Sequence, residues 1–131
     1  MGYVVIDPEE LSWDERPYRE DEPAPRLTAD LTTAANLKES RARLWRYPPH
    51  TRGRRHSERV QEEVFVVLSG TVTLLLGEPP QRFDLQPQGV VSLEPGTAVQ
   101  VRNESDHEAV VLVYGAPPVS GQAEILDDVE L

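Results

Sequence analysis

The most informative absence in this chain is cysteine, which occurs nowhere in its 131 residues. Disulfides, thiolate nucleophiles and cysteine-ligated zinc sites are therefore excluded. The chain also lacks any apolar run near the ~20 residues that a membrane-spanning helix requires. Residues 1–6 do not have the basic start that opens a signal peptide. These absences predict a cytoplasmic protein that does not act in a membrane.

Positive charge is in short supply, with 13 Lys and Arg against 23 Asp and Glu and a formal net charge of −10. This balance argues against a nucleic-acid binder, whose affinity rests on neutralising phosphates. The charge is uneven, because residues 38–59 hold eight basic side chains and two acidic ones, whereas residues 1–30 and 104–131 are acidic. Two interpretations stay open. Either these are solvated faces that pair with one another, or the basic segment meets an anionic ligand or the acidic arm of a partner subunit.

A strong helical period is missing as well, and short runs of strand-forming residues take its place. Gly- and Pro-containing turns separate these runs, as in antiparallel sandwiches and barrels. The pattern therefore predicts an all-β fold. The predicted strands cover residues 43–47, 56–58, 64–68, 71–76, 81–85, 90–93, 98–102 and 109–114.

The two ends of the chain differ from this central part. Arg16-Pro17 and the Pro23/Pro25 pair interrupt any regular element near the start. We therefore divide the chain into an irregular N-terminal arm at 1–37, a β-barrel at 38–118, and an acidic C-terminal tail or edge strand at 119–131.

The segment from His56 to Gly70 carries the strongest functional signal. Residues two apart in a strand point to the same face, so His56 and Glu58 aim at one volume. Glu63, which precedes the apolar run ending at Gly70, can join them from the next strand. This arrangement predicts a metal pocket inside a small β-barrel.

The same segment resembles the first motif of the cupin superfamily, in which His-x-His is followed by Glu and, after six intervening residues, by Gly. His56 takes the first His position, Glu58 replaces the second His, and Glu63 and Gly70 have the family separation. The second family motif is anchored by Gly96 and Asn103, but its His position falls on Val99. The resemblance covers roughly residues 41–118 and implies a cupin-type jelly roll. In the family, the three His positions and the Glu usually hold one divalent metal.

The altered ligand set leaves the cofactor open. A His with two carboxylates favours Mn²⁺, Fe²⁺ or Mg²⁺, with Ni²⁺ a further candidate. The alternative is that the site holds no metal, because the ligand at Val99 is lost. In that case Glu58 and Glu63 pair with nearby arginines (Arg54, Arg55 or Arg59), or one carboxyl serves as a general acid or base. No residue is assigned as catalytic, and no motif for an organic cofactor occurs.

The remaining histidines and aromatics are assigned to structure. His50 and His107 lie in predicted turns, so we expect both to be solvent-exposed. We expect the larger aromatic side chains to be core or interface residues. They are Trp45, Tyr47, Phe65 and Tyr114.

The leading functional prediction is a cupin that binds a small molecule at an altered metal site, with catalysis left open. Family habit and exposed strand edges suggest a homodimer. One alternative is a metal-dependent enzyme of the isomerase or dioxygenase type that uses His56, Glu58 and Glu63. The other is a protein-interaction or regulatory module whose tail and arm contact a partner.

Overall fold

A computed structural model describes residues 2–119 and 123–130. Residues 120–122 and 131 of the predicted tail lie outside this part. A short 3₁₀ helix, Pro8–Glu10, and a one-turn helix α1, Leu31–Ala34, accompany the strands. No helix of the described part is long and apolar enough to span a membrane. The strands are β1 Asp14–Arg16, β2 Arg26–Asp30, β3 Arg41–Tyr47, β4 Thr51–Arg52, β5 His56–Glu58, β6 Glu62–Ser69, β7 Val72–Leu76, β8 Gln81–Leu85, β9 Val90–Leu93, β10 Val99–Asn103, β11 Ala109–Ala116 and β12 Ala123–Ile125.

The strands form two antiparallel sheets. The first has the order β1-β2-β3-β11-β6-β9 and the second the order β12-β5-β10-β7-β8, with β4 paired to β10. Strands far apart in sequence are therefore neighbours, as in a jelly roll, whose chain passes repeatedly between its two sheets. The predicted all-β fold is confirmed.

The core lies between the sheets and follows the period of two in each strand. In β6, Glu63, Phe65 and Val67 are buried, whereas the side chains between them are more exposed. Inward side chains of the other strands complete the core, as expected when two sheets pack face to face. The buried core residues are Tyr47, Phe65, Val67, Val72, Leu74, Leu93, Val99, Val101, Ala109 and Val111.

Strand β2, within the N-terminal arm, was not predicted. It pairs with β3 over residues 27–30, and its Thr28 and Ala29 are almost fully buried. The segment Arg26–Asp30 is short and mixed in character, so its own sequence gives little strand signal. Pairing with β3 supplies backbone hydrogen bonds that the isolated segment lacks.

The acidic tail packs against the outer face of the second sheet. β12 pairs with β5, and the tail then covers the outward side chains of β10. The Gln100 amide donates to Asp128 Oδ1 at 2.9 Å, and Arg102 Nη2 donates to the Val129 carbonyl at 2.7 Å. The Tyr18 hydroxyl of the arm also donates to Asp128 Oδ1, at 2.8 Å. Arm and tail are thus tied together on the barrel.

Candidate functional site

The structure brings together the three residues that the sequence singled out. One ligand atom from each of His56, Glu58 and Glu63 lies within 4.8 Å of the other two. His56 and Glu58 come from β5 of the second sheet, and Glu63 from β6 of the first. We call this group the His/Glu/Glu cluster. It spans the gap between the sheets at one end of the barrel.

The turn that joins β5 to β6 is held by polar contacts. Gln61, only 3% exposed, donates through Nε2 to the Pro117 carbonyl at 3.0 Å. The Gly96 amide donates to the Glu58 carbonyl at 2.6 Å. These contacts fix the backbone on both sides of the turn, which sets the distance between Glu58 and Glu63.

The imidazole of His56 has a defined tautomer in its neutral form. Its Nδ1 lies 3.2 Å from the Arg54 carbonyl oxygen. A carbonyl oxygen only accepts, so Nδ1 carries the hydrogen and Nε2 keeps a lone pair. Such a backbone contact is the usual way in which a metal-ligating histidine is oriented.

Glu63 is the most perturbed carboxyl of the cluster. Burial and, to a smaller extent, repulsion from Glu58 raise its pKa from 4.5 to about 7, while the positive charge of Arg41 acts in the opposite direction. The side chain is only 6% exposed, so little water remains to stabilise its charge. A cation or a proton is therefore favoured at this position near neutral pH.

The donor set fits a hard divalent cation. Metal–oxygen distances of about 2.0–2.6 Å allow ligands on opposite sides of an ion to lie about 4–5 Å apart, and the observed spread of 4.8 Å lies at the upper end. Two carboxylates and one imidazole suit Mn²⁺, Fe²⁺ or Mg²⁺ better than soft metals. A cation between Glu58 and Glu63 would also remove their mutual repulsion.

Val99 stands at the position of the third histidine in the cupin motif that the sequence resembles. It is the antiparallel partner of His56 and is 1% exposed. Directly paired residues share one face of a sheet, so the valine side chain points into the barrel beside the imidazole. It provides an apolar wall instead of a fourth ligand.

Two of the three arginines expected to compete for the cluster are engaged elsewhere. Arg55 pairs with Glu78 at 2.7 Å, and the Arg54 guanidinium lies 5.3 Å from the centre of the Tyr18 ring. Within the described residues, neither Glu58 nor Glu63 has a basic nitrogen within 4.0 Å. The geometry therefore disfavours a purely salt-bridged role for these carboxylates.

The other histidines are exposed and distant from the cluster in the sheet. His50 contacts Asp106 through Nε2 at 2.8 Å, beyond the far end of β10, and His107 lies in the turn before β11. Of the four aromatics, Tyr47 and Phe65 are buried, Trp45 is half-buried, and Tyr114 is 45% exposed.

Two inward arginines of β3 were not recognised from the sequence as site residues. Arg41 and Arg43 share the parity of Trp45 and Tyr47, which face the core, and that alternation was the available signal. Both line a cleft of about 50 Å³ and an adjoining one of about 220 Å³. The smaller cleft is bounded by Arg41, Ala42, Arg43, Gln61, Val113 and Gly115, and the larger by Asp30, Thr32, Thr33, Arg41, Arg43 and Pro118.

A larger cleft, of about 330 Å³, lies at the opposite end of β10 and includes Arg52 and Arg102. Its arginines already have partners in the chain. Arg52 pairs with Asp128 at 3.2 Å, and Arg102 donates through Nε to Gln100 Oε1 at 2.9 Å. This cleft is therefore explained by the anchoring of the C-terminal tail.

Comparison with known proteins agrees with this architecture. Residues 43–115 match the family model described as the cupin domain. None of the curated proteins compared shows significant similarity.

Several solved structures share the fold. A sugar phosphate isomerase of the cupin superfamily from Silicibacter pomeroyi has 22% identity and a TM-score of 0.72, over 86% of this chain and 75% of that one. A predicted oxalate decarboxylase from Thermotoga maritima has 14% identity and a TM-score of 0.75, over 87% and 99%. A polyketide cyclase from Streptomyces resistomycificus has 14% identity and a TM-score of 0.78, over 97% and 87%. The family match covers more than half of the sequence, so the chain belongs to the cupin family.

Proposed function

We propose that the protein binds a small polar molecule at a divalent metal site formed by His56, Glu58 and Glu63. The convergence of the three ligand atoms within 4.8 Å carries this proposal. Three protein ligands leave coordination positions for oxygen atoms of a bound molecule. When bound, the cation would act as a Lewis acid on such an oxygen.

The chain's own residues shape the rest of this pocket. Val99 and Leu93, which are antiparallel partners of His56 and Glu63, are at most 6% exposed and limit the access of water. The hydrogen bond from Nδ1 to Arg54 holds the imidazole of His56 in place. The environment of Glu63 favours a bound cation over a solvated carboxylate. These features support ligand binding whether or not a reaction follows.

A second candidate is an enzyme that moves a proton on the bound molecule, as an isomerase or a lyase does. The buried position of Glu63 beside His56 favours it, because a carboxyl with a pKa of about 7 exchanges protons readily at neutral pH. The fold relatives are described as an isomerase, a decarboxylase and a cyclase. That range of chemistry supports no single reaction for this chain.

The interaction-module alternative has less support. Acidic side chains of the tail that could contact a partner already have partners within this chain. Asp128, for example, accepts hydrogen bonds from Tyr18, Arg52 and Gln100. Self-association has better support, because the outer face of the first sheet exposes Leu68, Val90 and Tyr114. We propose a homodimer through this face. Light scattering of the purified protein would test it, and a monomer at all concentrations would contradict it.

Titration with Mn²⁺ tests the metal proposal. The protein would be prepared without affinity metal and treated with a chelator, and calorimetry would follow binding. We expect one ion per chain, and no binding by the triple variant His56→Ala, Glu58→Gln, Glu63→Gln. His50→Ala, which removes an exposed histidine, should bind as the wild type does. Absence of binding by the wild type, or its persistence in the triple variant, would overturn the proposal.

A further inference from the structure

We propose that Arg41 and Arg43 bind the anionic group, a carboxylate or a phosphate, of a small molecule whose other oxygen atoms reach the His/Glu/Glu cluster. The inference rests on the proposed function, since it identifies the class of molecule that the pocket takes.

The strand register places the arginines on the same inner face of the first sheet as Glu63 and the core side chains. Arg41 pairs with Gly115, which also pairs with Glu63 on its other side. Because neighbouring strands lie about 4.8 Å apart, the backbones of Arg41 and Glu63 are about 10 Å apart across β11. An arginine side chain covers much of that distance, so a small molecule held by Arg41 would lie close to the cluster.

Gly115 has no side chain, which leaves room on β11 for the side chain of Gln61 between Arg41 and Glu63. The amide of Gln61 lies over it, and a Cβ at residue 115 would be 2.6 Å from Gln61 Cδ. Gln61 is itself fixed by its bond to the Pro117 carbonyl. The surface between Arg41 and the cluster is therefore formed by the fixed, polar amide group of Gln61, which suits a polar ligand better than an apolar one.

Arg41 and Arg43 form no ion pair with a carboxylate in the described part of the chain, whereas several other arginines of the barrel do. Within residues 2–119 and 123–130, no carboxylate oxygen lies within 4.0 Å of either guanidinium. Arg55, by contrast, pairs with Glu78. Arg41 Nη1 donates to the Val119 carbonyl at 2.9 Å, and Arg43 Nη1 has only a long contact, 3.5 Å, with Thr28 Oγ1. A guanidinium has five donors, so most of them remain available.

The carboxylates that face the arginines have other partners or functions. Asp30 is the strand partner of Arg43, and its oxygens accept from the amide and hydroxyl of Thr33 as the N-cap of α1. Glu63 belongs to the cluster. Paired guanidinium groups are the usual receptors for carboxylate and phosphate, because their planar donors match two oxygens at once.

The dimensions indicate a small ligand. The cleft between α1 and the arginines measures about 220 Å³, and the one beside Gly115 about 50 Å³. Pockets for drug-sized molecules run from about 300 to 1,000 Å³. A short hydroxy acid or a small phosphorylated sugar matches both the volume and the charge.

Binding of matched probes tests the proposal. The anionic probes are lactate and glycerol 3-phosphate, and the neutral counterparts are propane-1,2-diol and glycerol, each titrated by NMR with and without Mn²⁺. We expect at least one anionic probe to bind about tenfold or more tighter than its counterpart, which corresponds to about 1.4 kcal/mol. The probe that binds tells whether the site takes a carboxylate or a phosphate.

The variants Arg41→Gln and Arg43→Gln, alone and combined, should each weaken that probe. Arg16→Gln removes the same charge from the exposed arm and should leave binding unchanged. If the double variant does not fold, binding by the two single variants tests the proposal. Equal binding by the variants and the wild type would overturn the proposal, as would failure of both anionic probes at about 50 mM.

Metal titration of the same samples separates this inference from the proposed function. Arginine-dependent binding of a probe in a protein that takes no Mn²⁺ would contradict the metal site alone. Binding of Mn²⁺ without any preference for the anionic probes would contradict the arginine site alone.

Discussion

Val99 lies directly opposite His56 in the antiparallel pair formed by β10 and β5, and both side chains point into the barrel. The pairing places a buried methyl-bearing side chain where a further imidazole would stand beside the His/Glu/Glu cluster. The affinity of the proposed metal site should therefore be limited by the ligand that is missing at Val99. Replacing Val99 with a residue that can bind metal is therefore a direct way to raise that affinity.

Val99→His should restore a fourth ligand and tighten Mn²⁺ binding by about tenfold or more, since each added ligand lowers the free energy of the bound ion. The variant should lose about 1–3 kcal/mol of stability without metal, because it buries a polar ring. Calorimetric titration measures the affinity. Val101→His has the same parity on the strand but lies one pleat farther from His56, and it should give no gain. An equal gain in both variants would show that proximity to His56 is irrelevant.

The pKa of Glu63 predicts how the stability of the metal-free protein depends on pH. The folded-state pKa of about 7 lies above the ordinary 4.5, so the folded protein holds this proton more tightly than the unfolded chain does. The contribution of this carboxyl to the free energy of unfolding is then largest below about pH 4.5. It falls by about 3 kcal/mol as the pH rises to about 7 and above. Glu63→Gln should remove this loss and be the more stable protein at pH 8.

Urea unfolding in the presence of a chelator, at pH 5 and pH 8, measures that difference. Glu62→Gln is the matched control, because Glu62 is the exposed neighbour on the opposite face of β6. It should keep the wild-type pH dependence. If Glu63→Gln also keeps it, the carboxyl of Glu63 titrates as an ordinary exposed group.

The sequence was sufficient to predict the cluster, because its members are related by local rules. His56 and Glu58 are two residues apart in one strand, and Glu63 begins the next strand after a short turn. The spacing alone therefore brings them to one volume. The position of Val99 followed from the second motif, since Gly96 and Asn103 fix the register of β10.

The arginine site could not be predicted in the same way. Arg41 and Glu63 are connected only through Gly115, and that contact exists because β11 inserts between β3 and β6. Strand order is a non-local property, which no pattern within β3 reveals. β2 was missed for a related reason, because its place depends on the edge of β3 and not on its own five residues.

Asn103 should be among the polar side chains on which stability depends most. It is fully buried, and its amide donates to the carbonyls of Tyr47 and His107 at 2.8 Å each, while its Oδ1 accepts from the Ser105 amide at 3.0 Å. Asn103→Asp replaces the donor with an acceptor facing these carbonyls. We expect a loss of about 3 kcal/mol or more in unfolding free energy.

Chemical denaturation at neutral pH measures this loss. Asn36→Asp, at an exposed position with φ 56°, is the same chemical change and should alter stability by no more than about 0.5 kcal/mol. Similar stability of the two variants would mean that the polar contacts of Asn103 are replaceable by water.

Gly70 and Gly96 allow backbone strain to be separated from crowding. Both have positive φ, 74° and 87°, which costs an L-residue about 1–2 kcal/mol. A Cβ at residue 96 would meet nothing within 4 Å, whereas one at residue 70 would lie 2.6 Å from the Glu108 carbonyl oxygen. Gly96→Ala should therefore cost only the strain. Gly70→Ala should cost about 2 kcal/mol more, because the backbone between β6 and β11 must shift. Thermal unfolding of the two variants measures the difference, and equal losses would show that the turn after β6 adjusts without disturbing β11.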